Sequence, residues 1–248
     1  METKKLHFDI SSAGLHIIAM VCMLLDHIGA VGLVYNDWIR CVGRIAFPIF
    51  AFMTVEGFYR TKNLKKYAVR LLVFAVISEI PFNLMAGGGL FYPLHQNVLW
   101  TFLMALGAMW VLERAKQAEQ KWVYALATVC VMLLSYIAGI ITMADYYGGG
   151  VLTVLVFYFF REKKWYNLLG QVAALLYINT EILGGYGYEL NFFGLDLFIH
   201  MQALALLALL PIWLYNGRKG HSSVAFKYIC YVFYPLHMLV LYLIAVFR

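Results

Sequence analysis

The chain has 248 residues, of which 63% are hydrophobic and only 13% are charged, whereas a soluble domain is roughly 45–50% apolar and about 25% charged. So few polar side chains cannot cover a water-facing globule, which excludes a soluble enzyme, a disordered tail and a disulfide-stapled secreted module. The formal charge of +6 does not indicate a nucleic-acid partner, because basic loops on one membrane face give the same sum.

Long apolar segments follow one another along the whole chain. A membrane-spanning helix needs about 20 mostly apolar residues. We predict about nine spans, at roughly 14–34, 41–59, 67–86, 97–112, 122–142, 148–160, 165–182, 195–214 and 226–247. The expected fold is therefore an all-α, polytopic bundle in the lipid bilayer, with one transmembrane domain over residues 1–248.

Basic residues occur in alternate loops between these segments, and the other loops have almost none. The basic loops contain Arg60, Lys62, Lys65, Lys66, Arg70, Arg114, Lys116, Lys121, Arg161, Lys163, Lys164, Arg218, Lys219 and Lys227. The positive-inside rule places these loops in the cytoplasm. Lys4 and Lys5 before the first span then predict a cytoplasmic N-terminus, in a multi-pass protein of a bacterial inner membrane.

Several ionisable residues lie inside the predicted spans, where charge is costly and functional sites are common. They are Asp26, His27, Arg44, Glu56, Glu79 and His237, and His95-Gln96-Asn97 precedes the fourth span. At about 1.5 Å per helical residue, His27, Glu79 and His237 reach a common level near the midplane. Pro81 and Pro235 lie beside two of them, and a helix broken by proline often borders a cavity.

These residue types suit two kinds of function. A histidine beside a carboxylate can act as a general base in group transfer, and the same set can carry protons in a coupled transporter of a small solute. The sequence has none of the familiar zinc, Walker A, dinucleotide or nucleophile-elbow motifs, and we expect no metal. Spacing alone does not separate the two functions.

Five segments give the chain a resemblance to the TraX family. They are MVCMLLDHIG at 20–29, RIAFPIFAF at 44–52 with Glu56-Gly57 after it, ISEIPFN at 77–83, HQNVLWTF at 95–102 and YPLH at 234–237. The family takes its name from a conjugative-plasmid protein that N-acetylates pilin, and it looks distantly similar to larger multi-span membrane acyltransferases.

The resemblance implies an integral-membrane acetyltransferase that uses cytosolic acetyl-CoA as donor for an O- or N-acceptor, which could be a glycan, a peptide or a small molecule. His27 matches the first-span histidine of the wider group, so it is the expected general base, with Asp26 or Glu79 orienting it. The expected acceptor-binding residues are Asn83, His95, Gln96, Asn97, His237 and Glu56. Arg44, Arg60, Lys66 and Arg70 are the candidates for binding the phosphates of the donor.

Overall fold

The computed structural model describes residues 9–192, 194–220 and 223–248, which are mostly helical. The first six helices are α1 (Ser12–Ala30), α2 (Asp37–Gly43), α3 (Ala46–Arg60), α4 (Leu64–Gly87), α5 (Val98–Ala115) and α6 (Lys121–Ile141). Then come α7 (Tyr147–Phe159), α8 (Trp165–Tyr177), a π-helical turn (Ile178–Ile182), strands β1 (Gly187–Phe192) and β2 (Leu195–His200), a 3₁₀ helix (Met201–Ala208), α9 (Leu209–Trp213) and α10 (Val224–Val246).

The helices confirm the membrane character of the chain. Within the described ranges, six segments are long and apolar enough to cross a bilayer: α1, α2 with α3, α4, α5, α6 and α10. The other three predicted spans are also helical in large part, but α7, α8 with its π turn, and the 3₁₀ helix with α9 are shorter. The count of nine spans therefore stays a prediction.

The expectation of an all-α fold is wrong for residues 187–200, which form an antiparallel hairpin. β1 pairs with β2 from Gly187 opposite His200 to Phe192 opposite Leu195, and Gly194 in the turn has a φ of +81°. The predicted eighth span consequently begins at Met201 rather than 195. A mostly apolar segment of six residues does not by itself distinguish a strand from the start of a helix.

Polar caps fix where the helices begin. Ser11, Asn63, Asn97 and Ser223 each accept a hydrogen bond from a backbone N–H of the first turn that follows, where the helix itself leaves those donors unpaired. Helices α4 and α10 continue through Pro81 and Pro235, whereas Pro48 lies in the first turn of α3, where proline is tolerated.

Hydrogen bonds join the predicted loops in two separate groups. At one end, the backbone N–H of Ser12 donates to Arg218 O at 2.9 Å and Arg60 Nη1 donates to Gly217 O at 2.6 Å. The second group joins the loop before α5 to the loop before α7: Gln96 N donates to Met143 O at 2.8 Å, and Asp145 N donates to Gln96 O at 2.9 Å. Lys4 and Lys5, which contributed to the predicted orientation, lie outside the described residues.

Candidate active site

A pair of histidines joins the first helix to α10. His27 Nδ1 lies 2.7 Å from His237 Nε2, and the two rings stack with centroids 4.9 Å apart. His237 Nδ1 in turn lies 2.7 Å from the backbone oxygen of Phe233. The side chain of His237 is buried, so this chain of contacts runs through the interior of the bundle.

The hydrogen-bond directions in this pair follow from the last contact. A carbonyl oxygen only accepts, so His237 Nδ1 carries a proton and, in the neutral ring, Nε2 is an acceptor. His27 Nδ1 must then donate to it, which leaves the lone pair on His27 Nε2. A second group that fixes the tautomer of a histidine is a common arrangement for a general base.

His27 lines a cavity of about 810 Å³, which we call the histidine cavity. Asp26, Arg40, Arg44, His95, Asp145 and Gln202 also line it, together with Tyr136, Tyr146 and Tyr147. Asp26 forms ion pairs with Arg44 and, at 3.0 Å, with Arg40 Nε. Asp26 is thus held by arginines, and the ring contact that orients His27 comes from His237.

His95 and Asp145 form a second pair at this cavity. His95 Nε2 lies 3.1 Å from Asp145 Oδ1. Burial disfavours the charged ring, but the hydrogen bond to Asp145 and the negative charges of Asp145 and Glu79 outweigh it, so the pKa of His95 is raised. The pair therefore holds positive charge on His95 to a higher pH than a free histidine would.

The other residues predicted near His95 are engaged in hydrogen bonds of their own. Glu79 Oε2 accepts hydrogen bonds from Asn97 Nδ2 and, at 2.9 Å, from Trp100 Nε1. Asn83 Nδ2 donates to Leu90 O at 3.2 Å, and Gln96 Nε2 donates to Pro93 O at 3.1 Å. These four predicted residues are not in the lining of the histidine cavity.

A second cavity of about 480 Å³ is bordered by positive charge; we call it the basic cavity. Its basic residues are Arg60, Arg70, Lys219 and Lys227, and its apolar wall includes Met23, Phe50, Leu71 and Phe102. Arg70 Nε is buried and has no hydrogen-bond partner among the described residues. Lys66, in the first turn of α4, is exposed.

Glu56 borders the basic cavity but is already paired. Its Oε2 lies 2.9 Å from Arg60 Nη2 and its Oε1 lies 2.9 Å from Arg161 Nε. This buried carboxylate joins α3 to the segment between α7 and α8. Two cationic partners satisfy a charge that would otherwise be costly to bury.

The two cavities approach each other at the histidine pair. Met23 lines the basic cavity and His27 lines the histidine cavity, and four residues of helix α1 separate them by about 6 Å. On α10, Tyr234 lines the basic cavity three residues before His237. About one helical turn of α1 therefore separates the two linings, and on α10 His237 lines neither cavity but contacts His27.

Sequence reasoning missed several residues of the histidine cavity. Neither Arg40 nor Asp145 is among the site residues predicted from the sequence. Gln202, which accepts a hydrogen bond from Arg44 Nη1 at 3.2 Å, was not singled out at all. A signal was present for Asp145, since it follows a predicted span in the same kind of loop as His95.

Comparisons with known proteins support the family resemblance that the five sequence segments indicate. The family model described as TraX protein matches residues 11–245. A probable fimbrial assembly protein, FimC of serogroup H1, from Dichelobacter nodosus is 28% identical over 95% of this chain and 96% of its own length. Protein TraX of Escherichia coli is 27% identical over 64% of this chain and 60% of its own length. No solved structure matches.

Proposed function

Because this chain belongs to the TraX family, we propose that it is an integral-membrane acyltransferase that moves an acetyl group from acetyl-CoA to an acceptor. The observation that carries the proposal is the histidine pair, in which His237 fixes the ring of His27 and leaves Nε2 as the basic nitrogen. Positioned general bases contribute roughly 10²–10⁴-fold to rate.

In the proposed reaction, His27 Nε2 takes the proton from the acceptor hydroxyl or amine as the acceptor attacks the thioester carbonyl. A bond forms between the acceptor atom and the carbonyl carbon, and the carbon–sulfur bond breaks. The protonated His27 then returns its proton to the departing sulfur, giving free CoA. The hydrogen bond to His237 stabilises His27 in its protonated form, because bonds to charged groups are stronger than neutral ones.

The basic cavity suits the donor. Arg60, Arg70, Lys219 and Lys227 would bind its phosphates, and the unpartnered Nε of Arg70 is a donor that a phosphate oxygen would satisfy. The apolar wall beyond them would hold the thioester arm as it extends toward His27. Arg44, in contrast, lines the histidine cavity, so we assign it to the acceptor side.

We further propose nine spans, with the N-terminus and the basic cavity facing the cytoplasm of a bacterial inner membrane. Support comes from the contacts among the basic loops and from Ile10 and Ser12, whose backbone groups bond to Leu214 and Arg218 at that same end. The donor would then enter from the cytosol and the acceptor from the opposite face. The Dichelobacter relative is described as a probable fimbrial assembly protein, so fimbrial subunits are the first acceptors to test.

The test uses the purified full chain, labelled acetyl-CoA and an envelope extract. Transfer of label by wild type should fall roughly 10²–10⁴-fold in His27→Ala. The control is His200→Ala, because His200 bonds to Gly185 O on the hairpin and lines neither cavity. Undiminished transfer in His27→Ala would contradict the proposal. A proton-driven uptake of solute with no label transfer would favour the transporter instead.

A further inference from the structure

We propose that the histidine cavity takes an acceptor that carries an oxyanion, a phosphate or a carboxylate group, and that Arg40 binds this group. The inference rests on the proposed acyl transfer, since it names the chemical class of the acceptor. It adds a site on the histidine cavity that is separate from the basic residues assigned to the donor.

Two arginines of this cavity pair with one carboxylate. Two guanidinium groups, those of Arg40 and Arg44, share the single carboxylate of Asp26. Among the described residues, no other carboxylate lies within 4.0 Å of either arginine. Asp145, the other acid of this cavity, pairs with His95. One of the two arginines thus has no carboxylate of its own at ion-pair distance, and a charge without a partner is costly in a membrane protein.

The two arginines also differ in how they are bound. Arg44 donates to both oxygens of Asp26, to Gln202 Oε1 and to the backbone oxygen of Arg40, and only 11% of its side chain is exposed. Arg40 contacts Asp26 through Nε, and its terminal Nη groups make no hydrogen bond to a described residue. Its side chain is 28% exposed and borders the cavity. Arg40 therefore has both of its terminal nitrogens free to donate, whereas four of the five N–H groups of Arg44 are already used.

The position of Arg40 also favours this role. The aliphatic stem of Arg40 packs against Gly29, where an added Cβ would lie 2.8 Å from Arg40 Cδ. Arg40 and His27 both line the histidine cavity. An oxyanion on the Nη groups of Arg40 would therefore share this cavity with His27, and the nucleophilic atom of the same molecule could reach Nε2. The planar fork of arginine matches the paired oxygens of a carboxylate or a phosphate.

The experiment measures binding without any acetyl-CoA. A cysteine is placed at Ala30, which lines the histidine cavity and is exposed, in a chain whose accessible Cys130 and Cys230 are changed to serine. The rate at which a neutral thiol reagent labels this cysteine is followed with glycerol 3-phosphate, glycerate or glycerol present, at equal ionic strength. The phosphate and carboxylate arms tell the two anion sources apart.

At least one anion should slow labelling about tenfold at about ten times its dissociation constant, and glycerol should not. Arg40→Gln should lose this protection and Arg40→Lys should keep part of it. The control Arg218→Gln should leave it unchanged, since Arg218 is 73% exposed and pairs with Asp9. Circular dichroism and gel filtration establish that each variant is folded.

Equal protection by glycerol, full protection in folded Arg40→Gln, or no protection by either anion would overturn the inference. These outcomes are independent of the acyl transfer. Anion protection without label transfer would refute the proposed function and leave the site standing. Transfer without anion protection would refute the site alone.

Discussion

Replacing His237 by phenylalanine should reduce kcat for acetyl transfer while the bundle stays folded. Phenylalanine keeps a flat ring in the stack with Phe233 and His27 but offers no acceptor to His27 Nδ1. The lost contact is a 2.7 Å hydrogen bond to a ring that becomes charged in the transition state. Hydrogen bonds to charged groups contribute about 1.5–3 kcal/mol, and each 1.4 kcal/mol of activation free energy changes the rate about tenfold.

The expected fall in kcat is therefore about 10- to 150-fold, with the KM for acetyl-CoA changed little, because His237 is absent from the lining of the basic cavity. His237→Gln provides the decisive comparison, since its side-chain oxygen can accept from Nδ1 and should restore much of the rate. Steady-state kinetics with labelled acetyl-CoA gives both constants. If folded His237→Phe retains the wild-type kcat, the proposed role of the pair is refuted.

Three further predictions concern stability, each followed by thermal unfolding in detergent. Glu56→Gln should destabilise the chain by about 1–3 kcal/mol, less than for a fully buried pair because its two arginine partners are partly exposed; an unchanged Tm would contradict this. Gly139→Ala should destabilise the chain by about 1–3 kcal/mol, since the new Cβ would lie 2.6 Å from a backbone carbon of α7. Gly107→Ala is the matched contrast on α5: its Cβ would enter open space, so this change should stabilise the chain by about 0.5–1 kcal/mol. The raised pKa of His95 means that its pairing with Asp145 stabilises the fold at low pH and loses this effect as the pH rises through the folded pKa. The Tm advantage of wild type over Asp145→Asn should therefore shrink from pH 6 to pH 9, and an advantage that grows instead would refute the sign.

The sequence predicted the elements of the fold better than their lateral arrangement. Runs of apolar residues located most of the helices. The hairpin escapes this pattern because β2 is short and mostly apolar, so hydropathy joins it to the 3₁₀ helix that follows. Depth along a helix follows from residue number, but the face that each helix turns to its neighbours depends on packing across the whole bundle.

The candidate site shows the same limit. His27, Glu79 and His237 were expected at one level, but only the two histidines meet, while Glu79 turns to Asn97 and Trp100. Residues 26 and 27 are adjacent, yet on a helix adjacent side chains point about 100° apart, so Asp26 faces the arginines. The position of a residue along the chain gives its depth in the bundle but not the neighbour that its side chain faces.

The contact between His27 and His237 joins residues 210 positions apart, and this has a consequence for biosynthesis. At about 5–20 residues per second, a ribosome needs about 10–40 s between the two codons. Throughout that interval the nascent first helix lacks the acceptor for its ring N–H. We expect the chain to become able to catalyse the proposed acetyl transfer only when α10 docks against α1. Partly synthesised protein in the translocon would then not consume acetyl-CoA.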